Sequence, residues 1–118
     1  MDERLEKALN FSNFMVTLNN QKRLIKEKYQ EDLLYFYKGS QFTVSQELIT
    51  FVTMLVDKGL TEEVVLVDDN NIPSMIENLE DFYDSILDVY FSASNHYYAQ
   101  YEALKKNRRP GKLVNYDK

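Results

Sequence analysis

A chain of 118 residues with a net charge of -5 and no Cys is long enough for one domain with its own core. The missing thiol excludes disulfides, thiolate nucleophiles, zinc–thiolate centres and iron–sulfur clusters, and it fits a reducing compartment. Between residues 60 and 88 every charged side chain is acidic, whereas from Lys105 onward only Asp117 opposes the basic ones; the body repels nucleic acid and the basic end attracts polyanions.

The opening MDERLEK lacks the apolar core of a signal peptide. Uninterrupted apolar runs such as residues 64–67 (VVLV) fall far short of the roughly 20 residues that cross a bilayer. A cytoplasmic protein without membrane contact is expected.

No Gly or Pro interrupts residues 2–37, where Phe11, Met15, Leu18, Lys22, Ile25, Tyr29, Leu33 and Phe36 recur at spacings of three and four. That periodicity predicts one long amphipathic helix, with Asn19-Asn20 as its weak point. After Lys38-Gly39-Ser40, residues 42–44 are extended or turning. Ser45 suits the N-cap of a second helix, with Thr43 and Gln46 as a competing capping box. Leu48, Ile49, Phe51, Val52, Leu55 and Val56 cover a wide arc of that helix and predict burial on more than one side. Gly59 ends it in a left-handed cap.

Residues 63–67 and 72–76 are β-prone runs around an Asp/Asn cluster. Asn78 then caps a third helix whose stripe runs Leu79, Phe82, Ile86, Tyr90, Ala93, Tyr97, Tyr101 and Leu104. The expected fold is mainly α (α+β). Two long amphipathic helices pack lengthwise with a shorter buried helix and one β-hairpin near residues 63–76. Residues 1–104 form a single helical domain, and 105–118 form a basic helix end and tail.

The cluster VDDNNIP is the one place that suggests cation chemistry. An EF-hand loop needs Gly at its sixth place and Glu at its twelfth. Counting from Asp69 puts Glu80 twelfth but Pro73 fifth and Ser74 sixth; counting from Asp68 puts Leu79 twelfth. A type I turn at Asp69-Asn70 with Asn71 in the left-handed position accounts for the same residues without an ion. His96, the single histidine, has Ser92, Ser94, Asn95 and Gln100 around it, which are not strong zinc ligands. Glu77, Glu80, Asp81, Asp84 and Asp88 lie opposite Phe82, Ile86 and Tyr90 on the helix, as a solvated face does. No Gly-rich phosphate loop is present. Catalytic, metal and cofactor sites are all expected to be absent, and the protein is not expected to be an enzyme.

Nine Tyr and seven Phe weight the seams toward aromatics. Tyr35, Phe36 and Tyr37 cannot all face one core, so Tyr35 or Tyr37, together with Tyr98, is a candidate for an interface. Residues 64–67 are apolar on both faces, which asks for cover on both sides; Val65 and Val67 join the candidates. The cluster Lys105, Lys106, Arg108, Arg109 and Lys112, with Lys22, Arg23 and Lys26 in support, is the candidate polyanion contact, giving affinity without sequence preference.

The stretches LEKALNFSNFMVTLNNQK, VDDNNIP and ILDVYFSASNHY resemble small uncharacterised proteins of tailed phages (myoviruses) that infect marine cyanobacteria. The resemblance covers residues 1–104 and leaves out the basic end. It implies a phage accessory or assembly product acting in the host cytoplasm, and it transfers no functional residues. The expected function is that of a non-enzymatic interaction or assembly protein, a homodimer in which a second copy covers the outer side of residues 64–67, with a further protein partner of unknown identity. The alternative is a nucleic-acid-associated accessory factor using the basic C-terminal segment.

Overall fold

The computed structural model describes residues 2–106. Three helices and two separate antiparallel hairpins follow in the order α1 (Glu3–Asp32), β1 (Leu34–Tyr37), β2 (Ser40–Thr43), α2 (Gln46–Asp57), β3 (Glu62–Val67), β4 (Pro73–Asn78) and α3 (Leu79–Lys106). The fold is therefore mixed α and β, with one hairpin more than the sequence reading expected. No helix among the described residues is long and apolar enough to cross a membrane.

Helix α1 is continuous through Asn19-Asn20 but stops at Asp32, not at Tyr37. Residues 34–37 instead pair with 40–43 in the register Leu34↔Thr43 to Tyr37↔Ser40. The two residues left between the strands, Lys38 and Gly39, have φ of 46° and 84°. Positive φ at both loop positions matches the right-handed strand twist and closes a two-residue hairpin. Aromatic strand formers in LYFY outweigh the helical spacing that Leu33 and Phe36 continue.

Ser45 caps α2 by accepting the Leu48 N–H at 3.1 Å, so the competing Thr43 box is not used. At the other end the Gly59 N–H donates to the Val56 carbonyl and the Leu60 N–H to the Leu55 carbonyl. With Gly59 at φ +82°, this is the Schellman arrangement. Burial of α2 is more limited than expected: Val52 is fully buried, whereas Phe51 and Met54 are exposed.

The described residues group into two compact units, 2–29 with 95–106 and 30–94. In the second unit the core is built around Phe82. Tyr35, Tyr37 and Phe42 all meet its ring edge-on, at centroid distances of 5.6, 5.7 and 5.2 Å. Val44, Val52, Leu66, Ile76, Leu79 and Ile86 are buried in the same unit. In the first unit, Phe14, Leu18 and Leu104 form a small cluster with Ile25 against it, and Tyr29 stacks on Tyr97 at 4.4 Å. The expected α1 seam holds in part: Leu18 and Leu33 are buried and Ile25 and Tyr29 half-buried, but Phe14 is buried where Phe11 and Met15 are exposed, and Phe36, in β1, is exposed as well.

Gly39 faces open space, so a Cβ there meets no atom within 4 Å; only the backbone conformation resists a side chain. Gly39→Ala is expected to destabilise the protein by about 1–2 kcal/mol, read as a lower urea midpoint with an unchanged slope.

Candidate functional site

The Asp/Asn loop is a turn. The Asn71 N–H donates to the Asp68 carbonyl at 3.0 Å and the Asp68 N–H to the Ile72 carbonyl at 2.9 Å. Asn71 carries the positive φ, 62°, as expected of a type I turn followed by a left-handed residue. The buried Asp68 carboxylate accepts the N–H groups of Asn70 and Ile72 through Oδ1, both at 2.9 Å.

Asp69 works outward, on the other hairpin. Its N–H donates to the Gln41 carbonyl at 2.9 Å. Its Oδ1 accepts the Thr43 N–H at 3.0 Å, and its Oδ2 accepts the Thr43 hydroxyl at 2.6 Å and the Gln41 amide at 3.0 Å. Both carboxylates are thus committed to protein donors. Among the described residues no three His, Asp or Glu side chains come together as a cation site. Partial burial pushes the Asp69 carboxyl up, but the Thr43 hydroxyl, the Gln41 amide and the Thr43 N–H together hold it below its ordinary value of 3.8.

This bracing presents one face of the β3–β4 hairpin inward and the other outward. Strand alternation buries Leu66, Ser74 and Ile76. Val65 lies across from Met75 and Val67 across from Pro73. Val65 is 53% exposed, Val67 61%, Met75 51% and Ile72, at the turn, 55%. Val65 and Val67 were predicted from the doubly apolar strand. Met75 and Ile72 were missed, although the register following from an Asn71 turn would have placed Met75 opposite Val65. Glu62 and Glu63 begin β3 and are exposed, as is Glu77 on β4. Lys38 lies 3.0 Å from Glu77, whose carboxylate raises the ammonium above its ordinary value against a smaller effect of desolvation. The aliphatic face therefore has an acidic rim, strongest at the start of β3.

The aromatic triplet divides as a strand does, not as a helix does. Tyr35 and Tyr37 share the inner face on Phe82, and Phe36 turns outward at 63% exposure. Tyr98 is exposed on α3. Gln46 of α2 donates to the Tyr90 hydroxyl at 2.8 Å, and Thr53, whose own hydroxyl donates to the Ile49 carbonyl, lies within hydrogen-bond distance of the Tyr83 hydroxyl at 3.1 Å, which gives those tyrosines a structural use. His96 is exposed. Of the basic candidates, Lys105 is paired with Glu102 at 3.2 Å and Arg23 with Glu27 at 3.3 Å; Arg108, Arg109 and Lys112 lie outside the described residues. An open, mainly apolar cleft of about 360 Å³ is lined by Gln21, Leu24, Ile25, Gln100, Ala103 and Leu104. Another of about 570 Å³ lies along α2 beside Thr53, Met54 and Asp57. Neither gathers groups in the arrangement of a nucleophile with its base.

Comparison with protein families, with curated proteins and with solved structures finds no match.

A depressed folded-state pKa at Asp69 contributes stability that is fully present above the ordinary value of 3.8 and lost as pH falls through the folded value. Asp69→Asn is expected to cost about 1–2 kcal/mol at neutral pH, toward the low end of charged hydrogen bonds because the site is solvated. Urea unfolding of both proteins from pH 7 down to pH 2 should show the gap closing at the acid end. A gap independent of pH would contradict the role given to the carboxylate.

Proposed function

We propose that the chain is a non-enzymatic interaction or assembly protein that self-associates and docks a protein partner on the outer face of β3–β4. The single observation that carries this reading is the aliphatic face of Val65, Val67, Ile72 and Met75 beside Glu62 and Glu63. A contiguous exposed apolar patch rimmed by polar groups is a mark of an interaction surface.

Magnitudes define the partner. Covering the exposed half of each aliphatic side chain is worth about 1 kcal/mol, while association costs about 4 kcal/mol or more. Aliphatic contact alone therefore leaves little net affinity, and the acidic rim has to contribute. A second copy seated face to face would bring one acidic border against another, since residues 60–88 hold no base. The occupant that fits is an aliphatic segment flanked by Lys or Arg. This reading moves self-association off the hairpin and onto another surface.

Lengthwise pairing of the two long helices belongs to the same proposal, supported by the Tyr29–Tyr97 stack and by Leu104 against Phe14 and Leu18. The cytoplasmic setting and the phage context rest on the sequence resemblance. In that context, small non-enzymatic adaptors that hold other proteins together are the class proposed.

A photo-crosslinking amino acid in place of Met75, in cells producing the full chain and its partners, is expected to capture a protein. The linked peptide should carry Lys or Arg beside aliphatic residues. The same probe in place of Asp84, on the solvated acidic face, serves as control. Equal yields at the two positions would contradict docking on the hairpin face.

A further inference from the structure

Helix α1 has two apolar sides. At about 100° per residue, Leu5, Leu9 and Val16 fall within about 40° of one another. Phe14, Leu18 and Ile25 fall about 180° away on the same count. The second set meets Leu104. The first set is exposed, at 49, 45 and 56%. Opposed apolar stripes explain why the helix reads as apolar at the right spacing and yet buries so few side chains.

The exposed side has a regular spacing of its own. Asp2, Leu5, Leu9 and Ser12 are followed by Val16, Asn19, Arg23 and Lys26, in steps alternating between three and four, and all eight are exposed. Steps of three and four keep these positions along one face, as in a coiled-coil seam, here with Leu5, Leu9 and Val16 apolar and the other five polar. Its outer positions begin with Asp2, with Glu6 beside it, and end with Arg23 and Lys26, where Glu27 lies on the same side and pairs with Arg23.

The geometry points to a second copy of this chain docking along that seam, helix to helix and antiparallel. This inference rests on the proposal that the chain self-associates, and it supplies the surface. Parallel in-register pairing would set Asp2 on Asp2, Arg23 on Arg23 and Lys26 on Lys26. Antiparallel pairing about a two-fold axis near the middle of the seam sets Asp2 of each copy across from Lys26 of the other. It also brings Leu5 under the aliphatic stem of the second copy's Arg23, which can cover it while the guanidinium reaches Glu6. Ser12 then faces Val16, and the small serine lets the helices approach. The Arg23–Glu27 pair within one chain is solvent-exposed and of the weak kind that exchanges partners readily. An isologous contact of this kind closes as a dimer and leaves the hairpin face of each copy open for its own partner.

Sedimentation equilibrium of the full chain at micromolar concentration, with a Leu9→Lys/Val16→Lys variant beside it, tests the surface. The expected result is a dimer for the natural chain and a monomer for the variant, with the variant's far-UV circular dichroism spectrum retained. A Val65→Lys/Met75→Lys variant should remain a dimer. A natural chain that is monomeric would overturn self-association itself. A Leu9→Lys/Val16→Lys variant as dimeric as the natural chain would overturn the α1 seam alone. Because the chain has no Cys, orientation is read separately by mixing Asp2→Cys and Lys26→Cys proteins under mild oxidation. At equal mixing, random pairing gives about twice as much mixed disulfide as either homodisulfide; the antiparallel seam predicts a mixed yield well beyond that ratio, and a yield at or below it would overturn the antiparallel orientation.

Discussion

Two carboxylate oxygens of Asp69 take three hydrogen bonds from Gln41 and Thr43, while the Asp69 N–H donates to the Gln41 carbonyl. A two-stranded hairpin is marginal in water, and this chain has two of them. Asp69 turns the pair into a braced structure by occupying backbone groups along the outer edge of β2. Phe82 supplies the apolar part of the same brace, with Tyr35, Tyr37 and Phe42 edge-on to its ring. Neither device alone would hold the hairpins: the hydrogen bonds are solvated, and ring contacts without fixed strands have no register. Together they decide which side of β3 and β4 is buried and which is left exposed.

Charge then separates the exposed apolar surfaces by what each can meet. The β3–β4 face is bordered by acids from a stretch with no base between residues 60 and 88, so it favours a partner of opposite sign. The outer stripe of α1 begins at Asp2 and ends with Arg23 and Lys26, with Glu27 paired to Arg23, so reversed pairing would set opposite charges together where parallel pairing would set like ones. Like charges at contact are worth about 1 kcal/mol in water and more as water is excluded, comparable to the gain from each half-exposed aliphatic. In the proposed contacts the electrostatic pattern would select among partners that hydrophobic contact would not distinguish.

Much of this was legible in the sequence where a single residue has one good use. Ser45, Gly59, Asn71 and Asn78 each stand where a cap or a left-handed turn needs them, and each is found there. The α3 stripe was legible too, since Leu79, Phe82, Ile86, Ala93 and Leu104 are buried. The β1–β2 hairpin was hidden because Leu33 and Phe36 prolong the spacing of α1, and periodicity alone does not separate a helix end from a short aromatic strand. The signal that would have found it is Lys38-Gly39, two residues between runs of β-prone side chains. The outer stripe of α1 was missed for a different reason: following one apolar seam along a helix conceals a second one on its back. The grip of Asp69 on β2 had no local signal, because its partners stand far away in the chain.

Methyl NMR of the full chain over a dilution series tests most directly whether the exposed apolar side chains of α1 and of the β3–β4 face meet different occupants. With increasing concentration the methyl resonances of Leu5, Leu9 and Val16 are predicted to shift and lose relaxation from a soluble paramagnetic probe, while those of Val65, Val67 and Met75 stay accessible. Methyls of α1 that keep their shifts and probe accessibility across the series, or a concentration-dependent loss at the hairpin face instead, would contradict it.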